Sequence, residues 1–162
     1  MRNLLRLMLV IYVCALSRTL VAHQDTVFWF AAPEISASVG DNPIHLRLLT
    51  YGNAATVTID QPANGGFTTI TRNIPANTFD EVDLTPFLAA IESPAADVVS
   101  NNGLKITSTA NITAYYELGA ANSKEIFSLK GNKGIGTNFY TPFQDFWDNG
   151  ATTPTSFSSI DI

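Results

Sequence analysis

The sequence predicts an all-β fold, an antiparallel β-sandwich that is jelly-roll-like and carries one short helix. Runs of strand length, rich in β-branched and aromatic residues, recur about every 8–12 residues along the chain. Clusters of glycine, proline and asparagine separate these runs. No long stretch has the periodicity of an amphipathic helix.

The N-terminus has the order of a secretory signal peptide. Two arginines precede an almost wholly apolar run at 7–16, and small residues end the segment at Ala22. The apolar run is shorter than the roughly 20 residues that a membrane-spanning helix needs. The sequence therefore predicts a signal peptide over 1–22 and a secreted or cell-surface β-sandwich domain over 23–162, with no membrane insertion of the mature domain.

Cysteine usage and charge restrict the partners of the mature domain. The only cysteine, Cys14, lies in the predicted signal, so the mature domain has no disulfide and no cysteine metal ligand. Six basic and fourteen acidic residues remain after cleavage, a net charge of −8. Such an acidic surface argues against nucleic acid and anionic membrane as partners.

The first half of the domain carries five predicted strands. In the third run Val57 and Ile59 should face one side and the threonines the other, and the last run should separate its acids from Val82 and Leu84. The five runs are 27–31, 44–51, 55–60, 67–74 and 79–84.

One short helix should follow and close an end of the sheet. Thr85 is a suitable N-cap, Pro86 suits the first helical position, and the helical pattern continues to Glu92. Pro94 stops it.

The second half predicts a β-hairpin. The segments 104–108 and 112–117 both alternate, and Thr109-Ala110-Asn111 separates them. A strand at 125–129 and a flexible glycine-rich loop at 131–136 should come next. The alternating segment 156–162 stops in mid-pattern, so we expect the chain to be a piece of a longer protein.

Several segments, in this order, resemble a known family. They are Phe28-Trp29-Phe30-Ala31-Ala32-Pro33-Glu34, the stretch 106–116, the stretch 125–131 and Gly136-Thr137-Asn138-Phe139-Tyr140. Together they resemble the N-terminal domain of IgGFc-binding-type secreted proteins and its bacterial surface-protein relatives. The resemblance implies a β-rich N-terminal module of a large secreted protein. In the animal members this region is associated with antibody Fc and mucus, but no Fc-contact residue is matched here, so the partner stays open between a host or matrix protein, a glycan and downstream domains.

Candidate metal and catalytic residues are sparse. His23 and His45 are the only histidines, and a zinc site or a Ser-His-Asp triad needs more than they provide. The acids Asp80, Glu81 and Asp83 suit calcium in number but lack an EF-hand order, and their position before a helix N-terminus explains them better.

Two further motifs point weakly to an enzyme. Glu117 and Glu125 are a conceivable glycosidase pair, although their separation in space decides that chemistry. The stretch 131–137 is glycine-rich but lacks the order of a phosphate-binding loop, and an extended segment follows it. The sequence therefore predicts no enzyme, no cofactor and no metal.

An aromatic segment is the best candidate for ligand binding. Aromatic rings beside amides and carboxylates suit a sugar or protein surface, although packing in the core or on a neighbouring domain is the preferred interpretation. The candidates are Phe139, Tyr140, Phe143, Phe146 and Trp147. The predicted function is a secreted or cell-surface adhesion module that binds a protein or glycan. The alternatives are a structural spacer or capping domain of a large surface protein and, third, a carbohydrate-active enzyme.

Overall fold

The structure is a computed structural model, and it describes residues 23–33, 42–93, 98–119 and 124–138. Strands make up 52% of these residues, and one short α-helix is present among them. The all-β prediction is confirmed. The sheet is antiparallel and curls nearly into a barrel, so the two-layered, jelly-roll-like sandwich stays a prediction.

Nine strands, one α-helix and two 3₁₀ turns make up the regular structure of the described residues. In chain order they are β1 (Asp25–Phe30), β2 (Ala32–Pro33), β3 (Ile44–Thr50), β4 (Ala55–Asp60), β5 (Ile70–Ile74), β6 (Phe79–Asp83), a 3₁₀ turn (Thr85–Phe87), α1 (Leu88–Ile91), β7 (Glu92–Ser93), β8 (Leu104–Leu118), β9 (Glu125–Ser128) and a second 3₁₀ turn (Gly131–Gly134). Seven of the strands form the main sheet, and β2 and β7 form a two-residue parallel pair.

The long strand β8 organises the main sheet. Its first half lies between β1 and β4, and its second half lies between β9 and β3. Ile112, in the middle, is paired with Asp25 on one side and with Thr50 on the other. β3 and β4 therefore follow each other along one side of β8, and β6 and β5 pair with them at the outer edge.

The predicted hairpin at 104–117 is wrong. Both alternating segments belong to the single strand β8, and Thr109-Ala110-Asn111 continues it without a turn. This linker has neither a glycine nor a proline, and Asn111 is its only residue that favours the left-handed conformations of a tight hairpin turn. The partners of both halves come instead from distant parts of the chain, and β1 meets β8 with a register shift between Asp25 and Val27.

The core follows from the alternation of these strands. β3 alternates between buried and half-buried residues along its whole length, and β4 buries Val57 and Ile59 as predicted while its threonines face outward. The fully buried large side chains are Phe28, Ile44, Leu46, Leu48, Ile59, Ile74, Leu84, Ile91, Leu104, Ile106, Ile112 and Tyr116. The buried apolar residues of β8 all have even numbers, so the strand keeps one apolar face toward the core from end to end. Thr113 is also buried, and its Oγ1 lies 2.6 Å from the hydroxyl of Tyr51.

The last strand before the helix departs from its predicted pattern at one residue. Val82 and Leu84 are buried as expected. Asp80 is paired with the buried Leu48, so it lies on the side of Val82 and not with the other acids. The strand predicted over 67–74 is also shorter, since β5 begins at Ile70.

The predicted N-cap is wrong. Thr85 is the first residue of a 3₁₀ turn, and α1 follows as one short turn that ends at Ile91. The Thr85 Oγ1 accepts a hydrogen bond from the backbone N–H of Ile44 at 3.0 Å. The Asp83 Oδ1 accepts from the backbone N–H of Thr85 at 2.9 Å, so Asp83 satisfies the first donor of this turn.

A buried amide fixes the segment after β4 against α1. Gln61 is buried, and its Nε2 donates to the carbonyl oxygens of Ala90 at 2.8 Å and Asn102 at 2.7 Å. Its Oε1 accepts from Asn64 at 2.9 Å. Both ends of the amide are therefore satisfied, as a buried polar group requires. In the described part of the chain no helix has the length and apolar character needed to cross a membrane.

Candidate binding face

The outer side of the sheet presents the side chains that alternate with the core. In its first half, Trp29 of β1, Lys105 of β8 and Asp60 of β4 lie side by side in one row across the strands. Val27, Thr107, Thr58 and Thr71 form the next row. Side chains directly opposite each other on neighbouring strands share a face, so both rows point outward.

Trp29 is the most unusual member of this surface. Its neighbour Phe28 is fully buried, and the two-residue period of the strand therefore directs the indole outward, where 60% of it is exposed. The Nζ of Lys105 lies 5.2 Å from the centre of the ring, a cation–π distance. This contact orients the indole through a side chain of the adjacent strand.

A third row completes the surface at the end away from Trp29. The Thr56 Oγ1 donates to the Oδ1 of Asn73 at 2.9 Å, and the backbone N–H of Thr56 donates to the Oγ1 of Thr109 at 2.9 Å. Among the described residues, the Nδ2 of Asn73 donates no hydrogen bond. We call this surface the threonine face; it consists of Val27, Trp29, Thr56, Thr58, Asp60, Thr71, Asn73, Lys105, Thr107 and Thr109.

A shallow cavity of about 360 Å³ opens beside the third row. Thr56, Asn73 and Thr109 supply its polar lining. Ala54, Ala55, Ile74 and Pro75 supply its apolar lining. The threonine face therefore has an exposed aromatic ring at one end and a cavity with mixed lining at the other.

The second half of the outer side is charged. The Arg47 Nη1 lies 2.6 Å from the Oε2 of Glu81, and its Nε makes an ion pair with Glu117. The His45 Nε2 lies 3.6 Å from the Oε1 of Glu81. The Arg47 guanidinium also lies 5.4 Å from the ring centre of Phe79, which is 51% exposed. His45 is thus a strand residue of this charged half.

The acids before the helix do not act together. Two hydrogen bonds from Arg72, of 2.7 and 2.9 Å, hold Asp80 and lower its pKa below the usual value. Hydrogen bonds from Thr85 lower the pKa of Asp83. Glu81 pairs with Arg47 on the outer side. Within the described residues, no group of three or more histidine, cysteine, aspartate or glutamate side chains is arranged to hold a metal ion.

The imagined glycosidase pair is divided between the two faces of the sheet. Glu117 is paired with Ile126 and lies on the outer side. Glu125 is paired with Leu118, which is buried, so the register directs it to the opposite face. This pair of carboxylates does not form a common site.

The glycine-rich loop is fixed to the start of β1. Its first four residues form a 3₁₀ turn, and both side-chain oxygens of Asp25 accept hydrogen bonds from Asn132, at 2.7 Å from the backbone N–H and 3.0 Å from Nδ2. Burial raises the pKa of Asp25, but the hydrogen bonds from Asn132, Thr26 and Val27 outweigh it, and the pKa lies below its usual value. The loop is therefore a structural connection of the sheet.

The predicted aromatic candidates Phe139, Tyr140, Phe143, Phe146 and Trp147 lie outside the described residues, as do the predicted signal peptide at 1–22 and the predicted strand at 156–162. Trp29 and the threonine face are not among the predicted ligand-binding residues. The adjacent aromatic residues Phe28 and Trp29 could have predicted an exposed ring, because a strand with one buried face must expose one of two neighbouring side chains.

The chain was compared with known families, proteins and structures. No protein-family model, curated protein or solved structure matches the chain.

Proposed function

We propose that this chain is a secreted or cell-surface interaction module that binds a protein or glycan ligand on the outer side of its sheet. The single observation that supports this function is Trp29, whose indole is 60% exposed among half-buried and exposed polar side chains. Export through a signal peptide at 1–22 and a relation to IgGFc-binding-type N-terminal domains belong to the same proposal. The jelly-roll-like sandwich also stays a prediction.

An exposed tryptophan needs an explanation in energetic terms. Burying a large apolar side chain stabilises a fold by about 1.5–3 kcal/mol, and this fold forgoes most of that gain at Trp29. Tryptophan is also the side chain that most often dominates the binding energy of an interface, together with tyrosine and arginine. A ligand that covers the indole would recover the stabilisation that folding leaves unused.

The threonine face has the remaining properties of a binding surface. Most of its side chains are short, and cross-strand hydrogen bonds hold those of Thr56, Asn73 and Thr109. Little side-chain entropy is lost when such groups bind, which favours affinity. Lys105 restrains the indole in the same way.

The full chain should be tested against immobilised IgG Fc, purified mucin and a glycan array. We expect at least one of these to retain the wild-type chain, and we expect Trp29→Ala to weaken that binding. A wild-type chain that binds none of the three surfaces, while its circular dichroism and cooperative melting show a folded β protein, would overturn the proposed function.

A further inference from the structure

We infer that the ligand of the threonine face is an uncharged, extended oligosaccharide, with one sugar ring on Trp29 and another in the cavity beside Thr56, Asn73 and Thr109. This inference rests on the proposed function and names the ligand class of the same surface.

The threonine face has no net charge, which favours an uncharged ligand. Its only charged residues are Lys105 and Asp60, which are paired across adjacent strands and have opposite signs. The rest of the chain is acidic, with a formal net charge of −5. A polyanion would therefore be repelled by the molecule as a whole and would find no excess of positive charge here. A protein partner with charged groups would find its complement on the Arg47 half instead.

The hydrogen-bonding groups of the face resemble those of a sugar. A threonine hydroxyl both donates and accepts, as each sugar hydroxyl does, so the two match without a fixed pattern of charges. Thr58, Thr71 and Thr107 lie in one row on three adjacent strands. At about 4.8 Å between strands, such a row offers hydroxyls over a length of roughly 10 Å, enough for more than one sugar ring.

Trp29 provides the apolar contact that sugar recognition needs. The flat face of a pyranose ring carries C–H groups, and an indole presents a negative π face to them. Lys105 lies on the indole and has an ammonium group that donates hydrogen bonds beside the ring. Stacking and hydrogen bonding are therefore available at one place.

The cavity is the binding site for the other end of the oligosaccharide. Its volume of about 360 Å³ lies at the lower end of the range for small-molecule sites, which suits one or two sugar rings. The Nδ2 of Asn73, which donates to no other group within the described residues, and the hydroxyl of Thr109 border it. These donors and acceptors would fix a ring that the apolar wall of Ile74 and Pro75 covers on one side.

The test uses the full chain and two uncharged linear probes, cellohexaose and chitohexaose, with a heparin hexasaccharide as the anionic probe. We expect one of the uncharged probes to bind and the heparin probe not to bind. Trp29→Ala should raise the Kd at least tenfold, and Asn73→Ala should raise it several-fold. Phe79→Ala is the matched control, because Phe79 is similarly exposed but lies in the charged half; its Kd should stay within twofold of wild type.

A second measurement detects contact between the probe and Trp29 directly, without a variant that weakens binding. The chain has two tryptophans, so Trp147→Phe leaves Trp29 as the only indole. Addition of the binding probe should shift the fluorescence of this variant to shorter wavelength, because the sugar removes water from the ring.

Three results would overturn the inference. They are equal effects of Trp29→Ala and Phe79→Ala, binding of the heparin probe alone, and an unchanged Trp29 fluorescence at saturating probe. Binding to Fc or mucin protein with no binding to either uncharged probe would reject the oligosaccharide and leave the proposed function intact. Absence of binding to every probe and protein would reject both.

Discussion

Gly131 and Asp25 lie so close that a Cβ built on residue 131 would be 2.5 Å from the Cβ of Asp25. The two residues are far apart in the sequence, and the contact joins the glycine-rich loop to the first strand. Gly131 also has a φ of +58°, in the left-handed region that glycine adopts at no steric cost. Both properties let the Asn132 amide reach the Asp25 carboxylate.

Gly131→Ala should lower the free energy of unfolding by about 2 kcal/mol or more. The left-handed conformation alone costs an alanine about 1–2 kcal/mol, and the clash with Asp25 adds to it. Gly52→Ala is the matched control, since a Cβ at Gly52 meets nothing within 4 Å. Urea unfolding of both variants checks the prediction. Equal losses, or no loss in Gly131→Ala, would contradict it.

Asp80→Asn should reduce stability at neutral pH and have no effect in strong acid. The hydrogen bonds from Arg72 lower the pKa of Asp80 in the folded state, so its contribution is present above the unfolded pKa of about 3.9 and is lost as the pH falls through the folded pKa. A partly exposed pair of this kind is worth about 1 kcal/mol or less. Urea unfolding at pH 7 and at about pH 2 measures the difference.

Arg72→Met removes the same pair from the other side and serves as the control for Asp80→Asn. Its deficit at neutral pH should be similar to that of Asp80→Asn, and it should also vanish in acid. A deficit that persists at about pH 2 would mean that packing, and not the charged pair, stabilises the β5–β6 edge.

Local alternation in the sequence predicted the buried residues well. Val57 and Ile59 face the core because a strand with one buried face repeats every two residues, and this depends on no distant partner. The hairpin prediction failed because it depended on a partner. The even-numbered apolar residues continue through Thr109-Ala110-Asn111 without a change of phase, which is the pattern of one strand, but only the pairing with β3 and β4 decides between the two.

The candidate site was harder to predict from the sequence than the core. Trp29 and Lys105 are widely separated in the chain, and only the register of β1 on β8 brings them together. The threonines of the face come from three strands and have no motif. The predicted aromatic residues at 139–147 lie outside the described residues, and their role stays a prediction.

Arg47→Met should reduce stability by about 1–2 kcal/mol at low salt. Arg47 pairs with both Glu81 and Glu117, all three side chains are partly buried, and its removal leaves two carboxylates without their counter-charge. The loss should shrink at 1 M NaCl, because salt screens the remaining charges. Unfolding by urea at two salt concentrations measures both effects.

Two companion variants make the Arg47 prediction specific. Glu81→Gln together with Glu117→Gln should restore most of the stability of Arg47→Met, because the uncompensated charges are then absent. Lys105→Met, also on the outer side of the sheet but without an ion pair within the described residues, should have little effect. A loss in Arg47→Met that the double glutamine change leaves untouched would point to its apolar contacts, including that with Phe79.

Tyr116→Phe should leave the stability unchanged or raise it by up to about 1 kcal/mol. Tyr116 is fully buried against Phe30 and Phe127, with ring centres 4.6 and 6.3 Å away, and its hydroxyl has no hydrogen-bond partner in the described part of the chain. Burial and the charge of Glu92 raise the pKa of this hydroxyl. An unsatisfied buried hydroxyl has a desolvation cost that phenylalanine does not have, while the ring contacts stay the same.

Tyr116→Leu is the control for this change, because it removes the ring contacts as well as the hydroxyl. It should cost about 2–4 kcal/mol, since a smaller side chain leaves a cavity in the core beneath the end of β8. Urea unfolding of wild type and both variants separates the hydroxyl from the ring. A loss of more than about 1 kcal/mol in Tyr116→Phe would mean that the hydroxyl makes a stabilising hydrogen bond in solution, and the interior around Glu92 would then be a polar network and not an apolar core.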